Sequence, residues 1–325
     1  MIRIMSPLNE SCDVALLSQY VDEFYAGIAD QEWYRATNDT VYYNTRGNSR
    51  GIANFHSWEA FGRSIACAGQ AGRPVYLTVN SHNLDERNLN IARRIIHDFA
   101  GLGGSGVICS ELNCLEYAKE EHLRAILSTN MALYNLKSIQ YLLRQYEVDR
   151  VILSRDMTLR EIRVLRENLD TELEVFGMNF GCRFSNGLCM GTHSHETGGL
   201  CGAVQLMKWD YQSAYGQSLD LDWRYQSELN GWNYANYFLN HACGLCALYE
   251  LCGMGVDSFK IVGRELTGER ILQCAKEVSE ARTLADCSRS EQEFLNRVRA
   301  RRQAGENYGC KWGYQCYYPE KYVSF

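Results

Sequence analysis

Long apolar runs are missing from this chain of 325 residues. Nowhere do about 18 apolar residues follow one another, so no membrane-spanning helix is expected. The opening MIRIMSPLNESCD lacks the apolar stretch of a secretory signal, and a cytoplasmic location is the expectation. Excess positive charge is also lacking. Against 39 Asp and Glu stand 33 Lys and Arg, a formal net charge of −6, which argues against a general binder of nucleic acid or anionic membrane. A local basic groove stays open at Arg297, Arg299, Arg301 and Arg302, whose helical spacing reads first as a solvated face. There are three prolines, no internal repeat and no low-complexity segment; no H-E-x-x-H sequence occurs. With 46% hydrophobic and 22% charged residues, the composition is that of a soluble globular chain, long enough for one β/α barrel plus a tail or for two smaller domains.

Cysteine, by contrast, is plentiful, with fourteen in the chain. In a long chain without a secretory signal they are expected to stay reduced, and clustered thiols then point to metal or cluster binding. Cys12, Cys67, Cys109, Cys114, Cys274 and Cys287 are scattered among apolar neighbours and read mostly as inert core thiols. Cys182, Cys189, Cys201, Cys243, Cys246 and Cys252 crowd the middle, and Cys310 and Cys316 form a late pair with no assigned role.

Short β-rich runs alternate with helical stretches. Strands are predicted at 2–6, 75–80, 106–110, 124–129, 150–154, 173–178 and 257–263. A helix is predicted from near Asp13 to Gly27, another behind Asp85 as N-cap, and another behind the Thr158/Glu161 capping box. Further helices are expected from about Thr267 and from near Ser288 to Gly305. Such alternation implies a parallel sheet, and seven or so units without a Gly-rich phosphate loop favour a TIM-like (β/α) barrel, complete or incomplete. The expected domains are a barrel over 1–285, containing the cysteine-rich segment 181–252, and a C-terminal helix and tail over 286–325. The polar, Tyr- and Trp-rich stretch from Trp209 to Phe238 reads as an insertion over one face of the barrel.

The segment GCRFSNGLCMG (181–191) carries the most chemical information. Asn186-Gly187 is a two-residue hairpin signal, and that register puts Cys182 and Cys189 on one face as diagonal neighbours. Diagonal positions lie about 7–8 Å apart, beyond the usual disulfide range of about 4.4–6.8 Å. Two thiolates held apart in this way suit two corners of a cluster. Cys201 follows a turn-like Thr197-Gly198-Gly199, and Cys243 opens the helical stretch CGLCALYEL. Separations of 7, 12 and 42 residues match no zinc-finger pattern. Cys246, one turn on, and Cys252 are substitutes for Cys243, and His193, His195 and His241 offer a zinc site instead.

These motifs resemble the U-thirty-two (U32) family, historically called collagenase-like peptidases. The likeness runs from about residue 40 to 280, through YNTRGNSRGIANF (43–55), VYLTVN (75–80), RVILSRDMTLREI (150–162), ELEVFGMNFGCRFSNGLC (172–189) and ACGLCALYELCGMGVDSFKIVGR (242–264). The resemblance implies a (β/α)-type barrel and a [4Fe–4S] cluster held by Cys182, Cys189, Cys201 and Cys243. It also implies oxygen-independent hydroxylation of a ubiquinone precursor or an RNA base, linked to prephenate. Two departures stand out: Cys201 is followed by Gly202-Ala203-Val204-Gln205 rather than by a second cysteine, and the added domain of longer members is not seen.

Arg155, Lys260 and Arg264 fall at the C-terminal ends of predicted strands, where barrel active sites form. They are candidates to bind a small anionic substrate or an oxygen donor such as prephenate; pairing with Asp156 or Glu265 is the structural alternative, and Asn44 and Arg46 are weaker pocket candidates. Two other functions remain open. One is a cysteine- or metal-dependent peptidase, which needs a thiolate with a nearby base such as Cys189 with His193 or His195. The other is a non-catalytic electron-transfer subunit working with a homologous partner.

Overall fold

The computed structural model describes residues 1–37, 52–81, 84–179, 181, 242–303 and 315–321. Eight parallel strands close into a barrel in chain order. They are β1 (Arg3–Pro7), β2 (Glu23–Ala26), β3 (Val75–Val79), β4 (Gly106–Cys109), β5 (Arg124–Leu127), β6 (Arg150–Ile152), β7 (Glu172–Met178) and β8 (Ser258–Ile261). β8 pairs back onto β1 with Ile4 opposite Phe259, so the barrel is complete. The described helices around it are α1 (Val14–Leu17), α2 (Gln31–Ala36), α3 (Trp58–Gln70), α4 (Glu86–Gly101), α5 (Leu112–Glu120), α6 (Leu136–Gln145), α7 (Leu159–Asn168), α8 (Leu248–Met254), α9 (Gly268–Cys287) and α10 (Glu291–Gln303).

Helix starts follow from capping chemistry. The side chains of Asp13, Asp30, Ser57, Asp85, Asn135, Thr158 and Thr267 each accept the N–H of the third residue beyond. The Thr158/Glu161 box is complete in both directions. The helix predicted from Asp13 to Gly27 is instead the one-turn α1 followed by β2. Glu-Phe-Tyr-Ala is buried throughout, and a short apolar run of this kind has no period that separates strand from helix. Gly101 to Gly106 does spell G-x-G-x-x-G. It closes α4 and enters β4, the reverse of the strand-to-helix order that cradles phosphate, so it is a turn.

Between barrel and helices lies the apolar shell. Ile91, Ile95 and Phe99 recur along one face of α4 and are buried, and Phe61 stacks between Phe55 and Phe99 at centroid distances of 4.7 and 5.6 Å. Inside the barrel the N-terminal layer is ionic instead. Arg150 is fully buried, with both Glu23 oxygens at 2.8 Å and Glu174 and Glu172 each at 2.9 Å. Lys260 completes the plug at 2.6 Å from Glu174 and 4.0 Å from the Tyr25 ring centroid, while Ser258 donates to Glu23 at 2.7 Å. Two buried cations thus meet two buried anions, the condition under which charge is tolerated in an interior.

Candidate site at the C-terminal face of the barrel

The far end of the barrel is built differently. Residues beyond the strand ends there are buried and mostly small and neutral: Asn9 after β1, Thr78 in β3, Ser110 after β4, Ser128 and Asn130 after β5, Ser154 after β6 and Asn179 after β7. Ladder contacts carry this tier around the mouth, Ser110 N–H donating to Val79 and Ser128 N–H to Cys109. Among the described residues, Asn80 Oδ1, Ser110 Oγ and Asn130 Nδ2 are buried without a hydrogen-bond partner. Buried polar atoms are normally satisfied, so these three are candidate hydrogen-bonding positions for a polar ligand. No apolar periodicity could have singled them out; only their place after strands, at the end where barrel enzymes bind ligands, does so.

The three candidate cations do not form one group. Arg264, after β8, is buried and donates from one guanidinium nitrogen to Asn54 Oδ1 and Thr78 Oγ1, each at 2.9 Å, while its carbonyl accepts from Asn9. Arg155, after β6, is half-buried with its guanidinium carbon 3.9 Å from the Phe176 ring centroid. Both lie at the mouth. Lys260 does not: it is the third residue of β8 and sits a tier below, in the ionic plug, with Glu174 rather than Asp156 or Glu265 as its partner. Alternation along the strand, not strand-end position, decides its environment.

β7 builds the cysteine side of this rim. Phe176 pairs with Lys260 and Met178 with Ile261, so β7 spends an extra residue at Gly177 in a bulge. A Cβ at Gly177 would fall 1.9 Å from the Phe259 ring, so only glycine fits there. The bulge turns the Gly177 carbonyl outward, where it accepts Gly244 N–H at 2.7 Å, and Asn179 N–H donates to Ala242 at 2.7 Å. Asn179 takes a left-handed φ of 61°, which asparagine tolerates. These bonds hold Ala242–Gly244 antiparallel to the end of β7, with Cys243 opposite Met178.

Cys243 is buried, in an extended bridge rather than at a helix start; a 3₁₀ turn at Leu245–Ala247 and then α8 follow. Cys182, Cys189 and Cys201 lie outside the described residues, as do His193, His195, His241, Asn44, Arg46, Cys310 and the Trp209–Phe238 stretch. Among the described residues, no group of three His, Cys, Asp or Glu side chains converges to hold a single metal ion. Cys316, left without a role by the sequence, is brought to Cys243 by the C-terminal segment. Gln315 accepts Cys243 N–H at 2.6 Å and Tyr317 N–H donates to Cys243 at 2.9 Å. Cys243, Cys246 and Cys316 line one small cavity, together with Arg302 and Tyr318.

The other described cysteines divide by environment. Burial pushes the thiols of Cys12 to about 11 and Cys114 to about 12, and drives Cys109 and Cys274 upward as well, so these are protonated core groups. Cys252 lies near Ile2 and Arg282, toward the opposite end of the barrel from Cys243. The arginine row of α10 is largely paired: Arg301 with Glu280 at 3.1 Å, Arg302 with Glu277, Arg297 with Glu293 at 3.7 Å, and Arg299 with the Lys321 carbonyl.

The family comparison decides the kinship. Residues 10–324 match the sequence profile of Peptidase family U32. The chain belongs to that family. Among its relatives, a collagenase of Porphyromonas gingivalis is 24% identical over 269 residues, covering 76% of this chain and 62% of the relative. A tRNA hydroxylation protein P1 of Bacillus subtilis is 26% identical over 231 residues, covering 68% and 51%. An uncharacterized protease of Methanocaldococcus jannaschii is 27% identical over 294 residues, covering 86% and 65%. This U32 chain therefore spans between about half and two thirds of the curated relatives it matches. A solved U32 peptidase structure superposes with a TM-score of 0.43 at 15% identity, covering 68% of this chain and 85% of the other. Among the described residues, no helix is long and apolar enough to cross a membrane.

Proposed function

We propose that this U32 chain is an iron–sulfur protein that supports oxygen-independent hydroxylation. In this reading Cys182, Cys189, Cys201 and Cys243 hold a [4Fe–4S] cluster, and a small anionic or nucleotide substrate binds at the C-terminal mouth of the barrel. The observation that carries it is the placement of Cys243. A bulge, a glycine and a paired chain segment are all arranged to hold one buried thiol on the rim where barrels bind their ligands. The donor chemistry fits, since soft thiolates in a low-polarity pocket suit iron–sulfur ligation. Support from kinship comes from the B. subtilis tRNA hydroxylation relative.

When bound, such a cluster carries electrons. The chain's own residues do the rest of the work. Arg155 offers a guanidinium steadied on Phe176, and Arg264 offers a second one fixed by Asn54 and Thr78; planar forks of this kind orient carboxylate or phosphate. Asn80, Ser110 and Asn130 supply neutral hydrogen-bonding positions. Lys260 and Arg150 keep the floor of the mouth neutral through Glu174 and Glu23.

Colour tests the reading. Protein purified without oxygen is expected to be brown, to bleach with dithionite, and to lose that absorbance when Cys182, Cys189 and Cys201 are all replaced by alanine. The names of two relatives favour a second reading, a peptidase. Colourless protein that cleaves gelatin or casein would establish it in place of the first.

A further inference from the structure

A [4Fe–4S] cluster takes four thiolates, and two further cysteines, Cys246 and Cys316, line one cavity with Cys243. Cys243 and Cys316 are partners in an isolated parallel β-bridge between two extended segments. Segments so paired lie about 4.8 Å apart, and opposite residues project their side chains from the same face. Both residues line one cavity.

The position of Cys316 is not incidental, because its segment is tied down at several independent points. Tyr318 donates to the Phe176 carbonyl at 2.9 Å, and Tyr317 to the Asn179 carbonyl. Glu320 accepts Leu159 N–H at 2.6 Å, and Lys321 pairs with Glu250 and Glu291. The Tyr317 ring packs 6.4 Å from the Phe176 ring, whose neighbour is Arg155. One segment therefore links the thiol pair to the Arg155 side of the mouth.

Resting on the iron–sulfur reading, we propose that Cys316 is a second donor for the corner of the centre that Cys243 occupies, so that either sulfur completes the four-thiolate set. Exchange between them moves no electrons. One iron–sulfur(cysteine) bond forms as the other breaks, and the proton of the incoming thiol passes to the departing thiolate. The C-terminal segment thereby gains a direct hold on the centre.

The test is iron and acid-labile sulfide per folded chain, with the low-temperature EPR spectrum of the reduced protein, in four anaerobically purified forms. These are the unaltered protein, Cys243→Ser, Cys243→Ser with Cys316→Ser, and Cys243→Ser with Cys246→Ser. The Cys316 side chain takes no part in the Gln315 and Tyr317 backbone bonds, so serine leaves the segment docked, and circular dichroism checks each fold. Cys243→Ser is expected to keep most of its iron with an altered EPR signal, and the Cys243/Cys316 double variant to lose it. Three results overturn the proposal: Cys243→Ser as empty as the double variant, the double variant as full as the unaltered protein, or loss with Cys246→Ser instead. An unaltered protein that binds no iron overturns the iron–sulfur reading itself, and this inference with it.

Discussion

Arg150 is the residue on which the barrel floor depends. Its guanidinium is fully buried and touches Glu23, Glu172 and Glu174, and the last of these also holds Lys260. Removing one partner leaves an uncompensated buried charge, so Glu174→Gln is expected to cost about 3–5 kcal/mol in urea unfolding. A variant within about 0.5 kcal/mol of the original would show that the plug carries no such weight. Burial works to raise the Glu172 carboxyl, but Arg124, Arg150 and Arg3 outweigh it and hold it at about 2, below its ordinary 4.5. A carboxyl depressed in the folded state adds stability above its unfolded value, and that stability disappears as pH falls through the folded one. Melting temperature should therefore drop between about pH 4.5 and pH 2, and Glu172→Gln should flatten that slope. Thiol environment gives a third expectation. The exposed Cys287 should be alkylated by iodoacetamide well before Cys109 and Cys114, which react only on unfolding. Mass spectrometry of partially labelled protein reads the order directly. At this scale the sequence was legible for Cys109, Cys114 and Cys274, which are buried as expected of core thiols, but not for the half-buried Cys12 and Cys67 or the exposed Cys287, and it was opaque for Lys260. A charged residue inside a short apolar strand carries no mark of the partner that a distant strand will bring.

Among the elements, β7 is where fold and site meet. Its bulge exists because Gly177 lies against Phe259, and the bulge is what offers a carbonyl to Gly244. Gly177→Ala should then strain the β7–β8 pairing by about 1–3 kcal/mol or more in urea unfolding. Gly253→Ala, in α8 with open space around it, serves as the control without that loss. A Gly177→Ala variant as stable as the original would show that the close approach to Phe259 is relieved at no cost. Seven of the eight strands were readable from β-rich runs between helical stretches. β2 was not, because four buried residues beside a one-turn helix have no period to display. Cys243 was likewise placed at a helix start, since CGLCALYEL has helical composition; the backbone bonds to Gly177 and Gln315 that draw the chain into an extended bridge are long-range and invisible locally.

For the whole molecule, the closed barrel separates two jobs. Its N-terminal half is filled by a neutral ionic plug, and its C-terminal mouth gathers Arg155, Arg264, unpartnered neutral polar atoms and the cysteine rim. The barrel class was legible from alternation. The nearness of Cys316 to Cys243 was not, because only the return of the C-terminal segment brings the two residues together. The most direct measurement of the central claim is iron and acid-labile sulfide per chain in protein isolated without oxygen. About four of each, with a reducible cluster spectrum, is the predicted result. Fewer than about one iron per chain, after anaerobic reconstitution of folded protein, would contradict it.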